Sequence, residues 1–159
     1  MYYHADRPVL PFTGDRALVP GRLCDQSGGV TVTMPASAHA AILQAAALAH
    51  PLECCGLLLG REACIARAVP APNIATDPAR HFEIAPEALV AAHRTARSEP
   101  ALQVLGYYHS HPNGLDRPST RDAQDAAHDG RIWAIAAAGA VTLWRDEASG
   151  FAPLSYAVT

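Results

Sequence analysis

The chain has 159 residues, half of them hydrophobic, and a formal net charge of −3, a size that suits one domain burying about 70% of its unfolded surface. Without any lysine- or arginine-rich block, that balance argues against nucleic acid or an anionic membrane as a main partner. No apolar run reaches the ~20 residues of a membrane span and the N-terminus lacks the charged-then-apolar order of a signal peptide, so a cytoplasmic protein is expected.

Residues 1–29 carry Pro8, Pro11, Pro20 and Ser27-Gly28-Gly29 without a sustained period. They predict an extended arm ahead of a domain over residues 30–159. Residues 30–34 alternate β-branched side chains as a first strand. Pro35 suits the first turn of a helix over 36–50, with Ile42, Leu43, Leu48 and Ala45 or Ala46 as its core-facing stripe and Pro51 as its stop. Residues 57–61 and 63–71 read as a hairpin, 72–79 as a loop, and Phe82-Glu83-Ile84 as a short strand with His81 at the surface beside it. Pro86 opens a second helix to residue 97, its buried stripe drawn from Ala88, Leu89, Ala91, Ala92 and Ala96. After a third helix over 120–128, residues 132–137 and 140–144 form a hairpin turning at Gly139, and residues 151–158 a last strand. Strands and helices mixed in this order predict an α/β fold, a single domain in which a curved mixed sheet is flanked by about three helices.

Cys24, Cys54, Cys55 and Cys64 are too few and too irregularly spaced for a disulfide framework, so reduced thiols are expected. Cys54 and Cys55 read as small buried hydrophobes opening a core strand. A cysteine nucleophile is the competing reading, but nothing local marks either thiol as activated.

The chemistry concentrates in residues 104–122. An aromatic, apolar run reads as a buried strand closed by His109 and His111, whose i, i+2 spacing sends both imidazoles from one face. Pro112, Gly114 and Pro118 force a loop, and Ser119 opens a helix whose first turn contains Asp122. Two imidazoles and a carboxylate make three good zinc ligands, and three protein ligands leave the fourth position that a catalytic site needs. Ser119-x-x-Asp122 is also a capping-box variant, which alone would account for both residues. A mononuclear zinc hydrolase further needs a base, and Glu53, where a helix hands over to a buried strand, is the best-placed carboxylate. Pro112-Asn113-Gly114 stands where a metallo-β-lactamase-type site would continue, and neither a His-Glu-x-x-His helix nor a Gly-x-Ser-x-Gly elbow is present.

With Glu53, His109-Ser110-His111-Pro112 and Ser119-x-x-Asp122 in order, the chain resembles the JAMM (MPN-plus) zinc metalloproteases. The Glu53-Cys54-Cys55-Gly56-Leu57-Leu58-Leu59-Gly60 stretch is similar to their small prokaryotic members. The resemblance implies one Zn2+ per chain held by His109, His111 and Asp122, a water activated by Glu53, and an oxyanion stabilised by Ser119. Ser110, on the opposite face, would need no catalytic role. The implied substrate is the C-terminal glycine tail of a ubiquitin-like or sulfur-carrier protein, cut at a peptide or isopeptide bond after threading as an extended strand. A non-catalytic scaffold that binds ubiquitin-like partners is the alternative, against which the complete ligand set speaks.

Overall fold

A computed structural model describes residues 31–99 and 102–159, so the arm expected over 1–29 lies outside the described residues. The strands are β1 (Val32–Met34), β2 (Cys55–Arg61), β3 (Cys64–Ala71), β4 (Gln103–Ser110), β5 (Ile132–Ala137), β6 (Ala140–Glu147), β7 (Gly150–Leu154) and β8 (Tyr156–Val158). The helices are α1 (Ala36–Ala49), α2 (Pro86–Ser98) and α3 (Thr120–Asp125). All strands join one mixed sheet in the order β7-β6-β5-β4-β2-β3-β1-β8. Strand β4, which carries the histidines, lies between antiparallel β2 and parallel β5. The parallel step from β4 to β5 needs a crossover, and the chain uses it to place α3 at the end of β4.

The last expected strand is instead two. Strand β7 pairs with β6, a single residue, Ser155, follows, and β8 pairs with β1 at the other end of the sheet. Neighbours in sequence thus occupy opposite ends of the sheet, which therefore curls until those ends approach. The Tyr156 hydroxyl donates to the Val141 carbonyl of β6 at 2.8 Å across the closure.

Helices cover both faces, which is why six of the seven β2 residues are buried. Leu58 and Tyr108 join Val32, Met34 and Ile42 beneath α1, whereas Leu57, Leu59 and Val104 meet Ala92 beneath α2. Each fully buried Leu or Ile contributes about 1.5–3 kcal/mol. Leu58 pairs with Gly106 but Leu59 with Val104, so Leu105 is the extra residue of a bulge in β4. Beyond it Tyr107 packs on the α2 face, and His109 follows Tyr107 on that side by period two.

The helices differ from their expected outlines in three places. In α1, Ala38, Ile42, Ala45, Ala46 and Ala49 face the sheet, their small side chains letting the helix lie close, while Leu48 is 80% exposed. In α2, Ala91 is exposed and the core contacts run through Ala88, Leu89 and Ala92. The third helix ends at Asp125 because Ala126 is extended and His128 has φ 55°. The His128 N–H donates to the fully buried carboxylate of Asp146 at 2.7 Å, which draws the chain off the helical path. Phe82-Glu83-Ile84 forms no strand, only an isolated bridge between Ile84 and Asn73. Among the cysteines, Cys54 and Cys55 are free and buried, but Cys64 is disulfide-bonded, contrary to the expectation of reduced thiols.

Gly106 of β4 stands opposite Ile132 of β5. A Cβ there would stand 1.8 Å from the Ile132 carbonyl oxygen, a backbone atom that cannot rotate away. Gly106→Ala is expected to cost about 3 kcal/mol or more, or to prevent folding, by urea denaturation. A loss under ~1 kcal/mol would mean that the two strands are not so closely paired.

Candidate active site

Four of the five residues singled out by sequence are buried together although they come from three separate segments. His109 is the penultimate residue of β4, His111 lies just beyond the strand, Asp122 sits in the first turn of α3, and Glu53 occupies the link from α1 to β2. Ser119, partly exposed, is the N-cap of α3. Its oxygen accepts from the Asp122 N–H at 3.1 Å, and its own N–H donates to Asp122 Oδ2 at 2.6 Å, a reciprocal capping box. The cap reading and the ligand reading are compatible, because the cap aims the carboxylate at the histidines.

The Nε2 atoms of His109 and His111 stand 3.1 Å apart. Asp122 Oδ1 is 3.3 Å from the first and Oδ2 is 3.2 Å from the second. Ligands on a tetrahedron with metal bonds of 2.0–2.1 Å lie about 3.3 Å from one another, close to the separation of the two imidazole nitrogens, and the Asp122 carboxylate stands against both, so the three side chains suit a zinc ion. The tautomers fit as well. His111 Nδ1 meets the Leu115 carbonyl at 2.7 Å, and since a carbonyl only accepts, Nδ1 carries a hydrogen and Nε2 is the nitrogen turned to Asp122 and available to a metal. His109 is fully buried, and its Nδ1 has no hydrogen-bond partner among the described residues.

Electrostatics separate the roles. Burial holds the His109 imidazole below its ordinary pKa, so it is neutral and free to ligate. Burial also depresses His111, but the hydrogen bond with Asp122, the Leu115 carbonyl and nearby negative charge outweigh it and leave its pKa raised. For Asp122, burial alone would raise the carboxyl. Hydrogen bonds to both imidazoles and the Ser119 N–H overcome this and keep it well below the usual carboxylate range. Glu53 behaves oppositely: burial, with the charges of Asp122 and Asp77, lifts its carboxyl from 4.5 to about 7 despite the opposing influence of His111. One carboxylate is thus permanently ionised beside another that exchanges a proton near neutrality, the pairing that acid–base chemistry uses.

Several supporting residues carried no sequence signal. Phe82 stacks on the His109 ring with centroids 4.4 Å apart, and Trp133 meets it edge-on at 5.8 Å. These rings keep water from the inner side of the ligand set. Ser110 does point away from the ligands, and its oxygen accepts from the Cys54 N–H at 2.8 Å, tying the segment after Glu53 to β4. A cavity of about 510 Å3, walled by Phe82, Ile84, Leu89, Tyr107 and Trp133, opens beside Asp122. His81 lines this cavity and is not among the metal-facing residues. Burial pushes the Cys54 thiol up and the Cys55 thiol up to about 12, so neither is an activated nucleophile.

Comparison with known proteins places the chain in a family. The chain is 34% identical over 82 residues to the "Tail tip assembly protein K" of Escherichia phage N15, covering 52% of this chain and 31% of that one. It is 32% identical over 111 residues to a desampylase of Haloferax volcanii, covering 68% of this chain and 79% of that one. With the "Probable TtuB-protein conjugate cleaving protease" of Thermus thermophilus it shares 38% identity over 76 residues, covering 48% and 50%. Among solved structures, a Desulfitobacterium hafniense protein superposes with a TM-score of 0.73 at 25% identity over 81% of this chain and 93% of that one. A JAB1/MPN domain protein of Archaeoglobus fulgidus shows the same fold with a TM-score of 0.53 at 19% identity, covering 82% and 99%. The family described as prokaryotic homologs of the JAB domain matches residues 35–147. That match spans α1 to β6 together with Glu53, both histidines and the Ser119–Asp122 cap, and the chain belongs to this family.

Proposed function

We propose that the protein is a zinc-dependent hydrolase that cuts the peptide or isopeptide bond after the C-terminal glycine of a ubiquitin-like or sulfur-carrier-like protein. The observation that carries the reading is the convergence of the His109 and His111 Nε2 atoms, 3.1 Å apart, on the Asp122 carboxylate, one oxygen within 3.3 Å of each, beside a buried glutamate, one of whose carboxylate oxygens, Oε2, has no hydrogen-bond partner among the described residues. The substrate class is supported by two relatives, one named a desampylase and the other named for cleaving protein conjugates. A non-catalytic scaffold gains nothing from a buried glutamate without a partner, which costs stability.

In this reading His109, His111 and Asp122 hold one zinc ion, which supplies Lewis acidity to polarise the scissile carbonyl and acidify water. Glu53 takes the proton from the attacking water and delivers it to the leaving amine, a dual role that a carboxyl titrating near 7 performs with little energetic penalty in either direction. The Ser119 oxygen already accepts from the Asp122 N–H, so its hydroxyl hydrogen is free to donate to the developing oxyanion. Phe82 and Trp133 hold the His109 ring in place and exclude solvent behind it.

The test joins metal to cleavage. The purified protein should contain about one zinc per chain and should cut a ubiquitin-like protein fused through its C-terminal glycine to a reporter. Chelation should abolish cutting and added zinc restore it. Protein that binds no zinc even after reconstitution would defeat the proposal.

A further inference from the structure

We propose that Asn73 is a positioning residue, the donating half of its amide setting Glu53 against the metal-ligating residues while the accepting half closes the loop from 73 to 83. The inference rests on the hydrolase reading for its catalytic consequence, although the tether itself does not.

Asn73 follows β3, twenty residues beyond Glu53. Its Nδ2 donates to the Glu53 carbonyl at 3.0 Å and to the His81 carbonyl at 3.2 Å. Its Oδ1 accepts from the Ala75 and Glu83 N–H groups, each at 3.0 Å. Two donors and two lone pairs are the whole capacity of a side-chain amide, and all are used. Turning the amide over would set an NH2 against two N–H groups and an oxygen against two carbonyls, so the network fixes its orientation.

What makes this matter is how Glu53 is otherwise held. Its N–H donates to the Pro78 carbonyl at 2.7 Å, so both main-chain polar groups of Glu53 are bound by the same loop. Strand β2 begins only at Cys55, and Cys54 is bound to Ser110. The side chain cannot fix itself, because Oε2 has no hydrogen-bond partner among the described residues. The position of the carboxylate is therefore set by the main chain, and the main chain is set by the loop and Asn73. The same loop carries Phe82 onto the His109 ring, so one amide coordinates the base and the cover of a ligand.

The two halves of the amide can be separated. The loop has further closures that do not use the side chain, from Ile74 N–H to Glu83 O at 2.9 Å and from Ala85 N–H to Pro72 O at 3.2 Å. Asn73→Asp keeps two acceptors for Ala75 and Glu83 but cannot donate to Glu53. If Asn73 merely closes the loop, Asn73→Asp should behave as wild type. If it positions Glu53, kcat should fall by on the order of 10²-fold, the penalty of an ångström-scale misplacement, with KM and zinc content within about twofold. Amide hydrogen exchange gives a readout that needs no substrate. The Glu53 N–H, whose own bond runs to the Pro78 carbonyl of the same loop, should exchange at least ~10-fold faster in Asn73→Asp once the loop loses its hold on the Glu53 carbonyl, while Ala75 and Glu83 stay protected. Asn73→Ala, which sets no charge against the carbonyls, replaces it if the aspartate variant does not fold, and should show the same fall in kcat and loss of protection at Glu53. Unchanged exchange at Glu53 overturns the tether, and unchanged kcat in a variant with faster exchange overturns its catalytic role. If the wild type cleaves nothing, the hydrolase reading has failed, and exchange at Glu53 still decides the tether.

Discussion

Glu53→Gln should retain its zinc and lose catalysis, with cleavage falling by about 10²–10⁴-fold, the range a positioned proton-transfer group contributes. The same substitution should stabilise the metal-free protein at and above neutral pH. Burial raises the folded-state carboxyl to about 7 from 4.5. Between those values the folded protein keeps a proton that the unfolded chain has released, so wild-type stability declines as pH rises through that window. Glutamine has no such proton, and the variant should exceed wild type by about 2–3 kcal/mol above pH 7 and by nothing attributable to this group below about pH 4. Urea titrations of both proteins at pH 4, 6 and 8 read the difference directly. A constant offset at all three pH values would show that Glu53 is not held in a desolvated position, and retained cleavage would remove it as the base.

The second large effect is expected at Asp122. Asp122→Asn preserves the size of the side chain and its oxygen for the Ser119 N–H, yet presents no charge to the two histidines. Site free energies of 10–16 kcal/mol shared among four ligands allot about 2.5–4 kcal/mol to each, so zinc affinity should drop by roughly 10²–10³-fold in chelator competition. Cleavage should fall to the level of chelated wild type. In the metal-free protein the sign of the pH effect opposes that of Glu53. Asp122 is held below its unfolded value, so its contribution is present above the ordinary aspartate range and is lost as pH falls through and below that range. Asp122→Asn should flatten that acid limb, and full zinc occupancy in this variant would take Asp122 out of the ligand set.

The candidate ligands were legible in the sequence because the unit that brings them together is local. His109, His111, Ser119 and Asp122 fall on one strand, one loop and one helix start, and the capping box that positions the aspartate is written within four residues. Glu53 was found by chemical need together with its junction position, since the register that brings Cys55 opposite His109 is a tertiary fact. Asn73 gave no such signal. An Asn after a proline reads as a turn former, and two of its four hydrogen bonds do close a turn, but the link to Glu53 spans twenty residues and exists only once the loop has folded back. The bulge at Leu105 escaped for a related reason. Val104 and Leu105 are equally apolar, and only the opposing strand shows which one is extra. The early end of α3 came from Asp146, eighteen residues from the His128 amide it captures, against the helix preference of Ala126 and Ala127.

The single-residue joint at Ser155 also bears on how much open edge the sheet presents. An open sheet of eight strands ordinarily presents two flanks of unpaired backbone on which another chain can add a strand. Here one flank is a three-residue strand and the other a five-residue strand containing Pro153, which has no N–H to offer. Among the described residues the two flanks are consecutive in the chain, joined by Ser155 alone. The path of the backbone therefore leaves the described sheet only short flanks on which a further strand could pair.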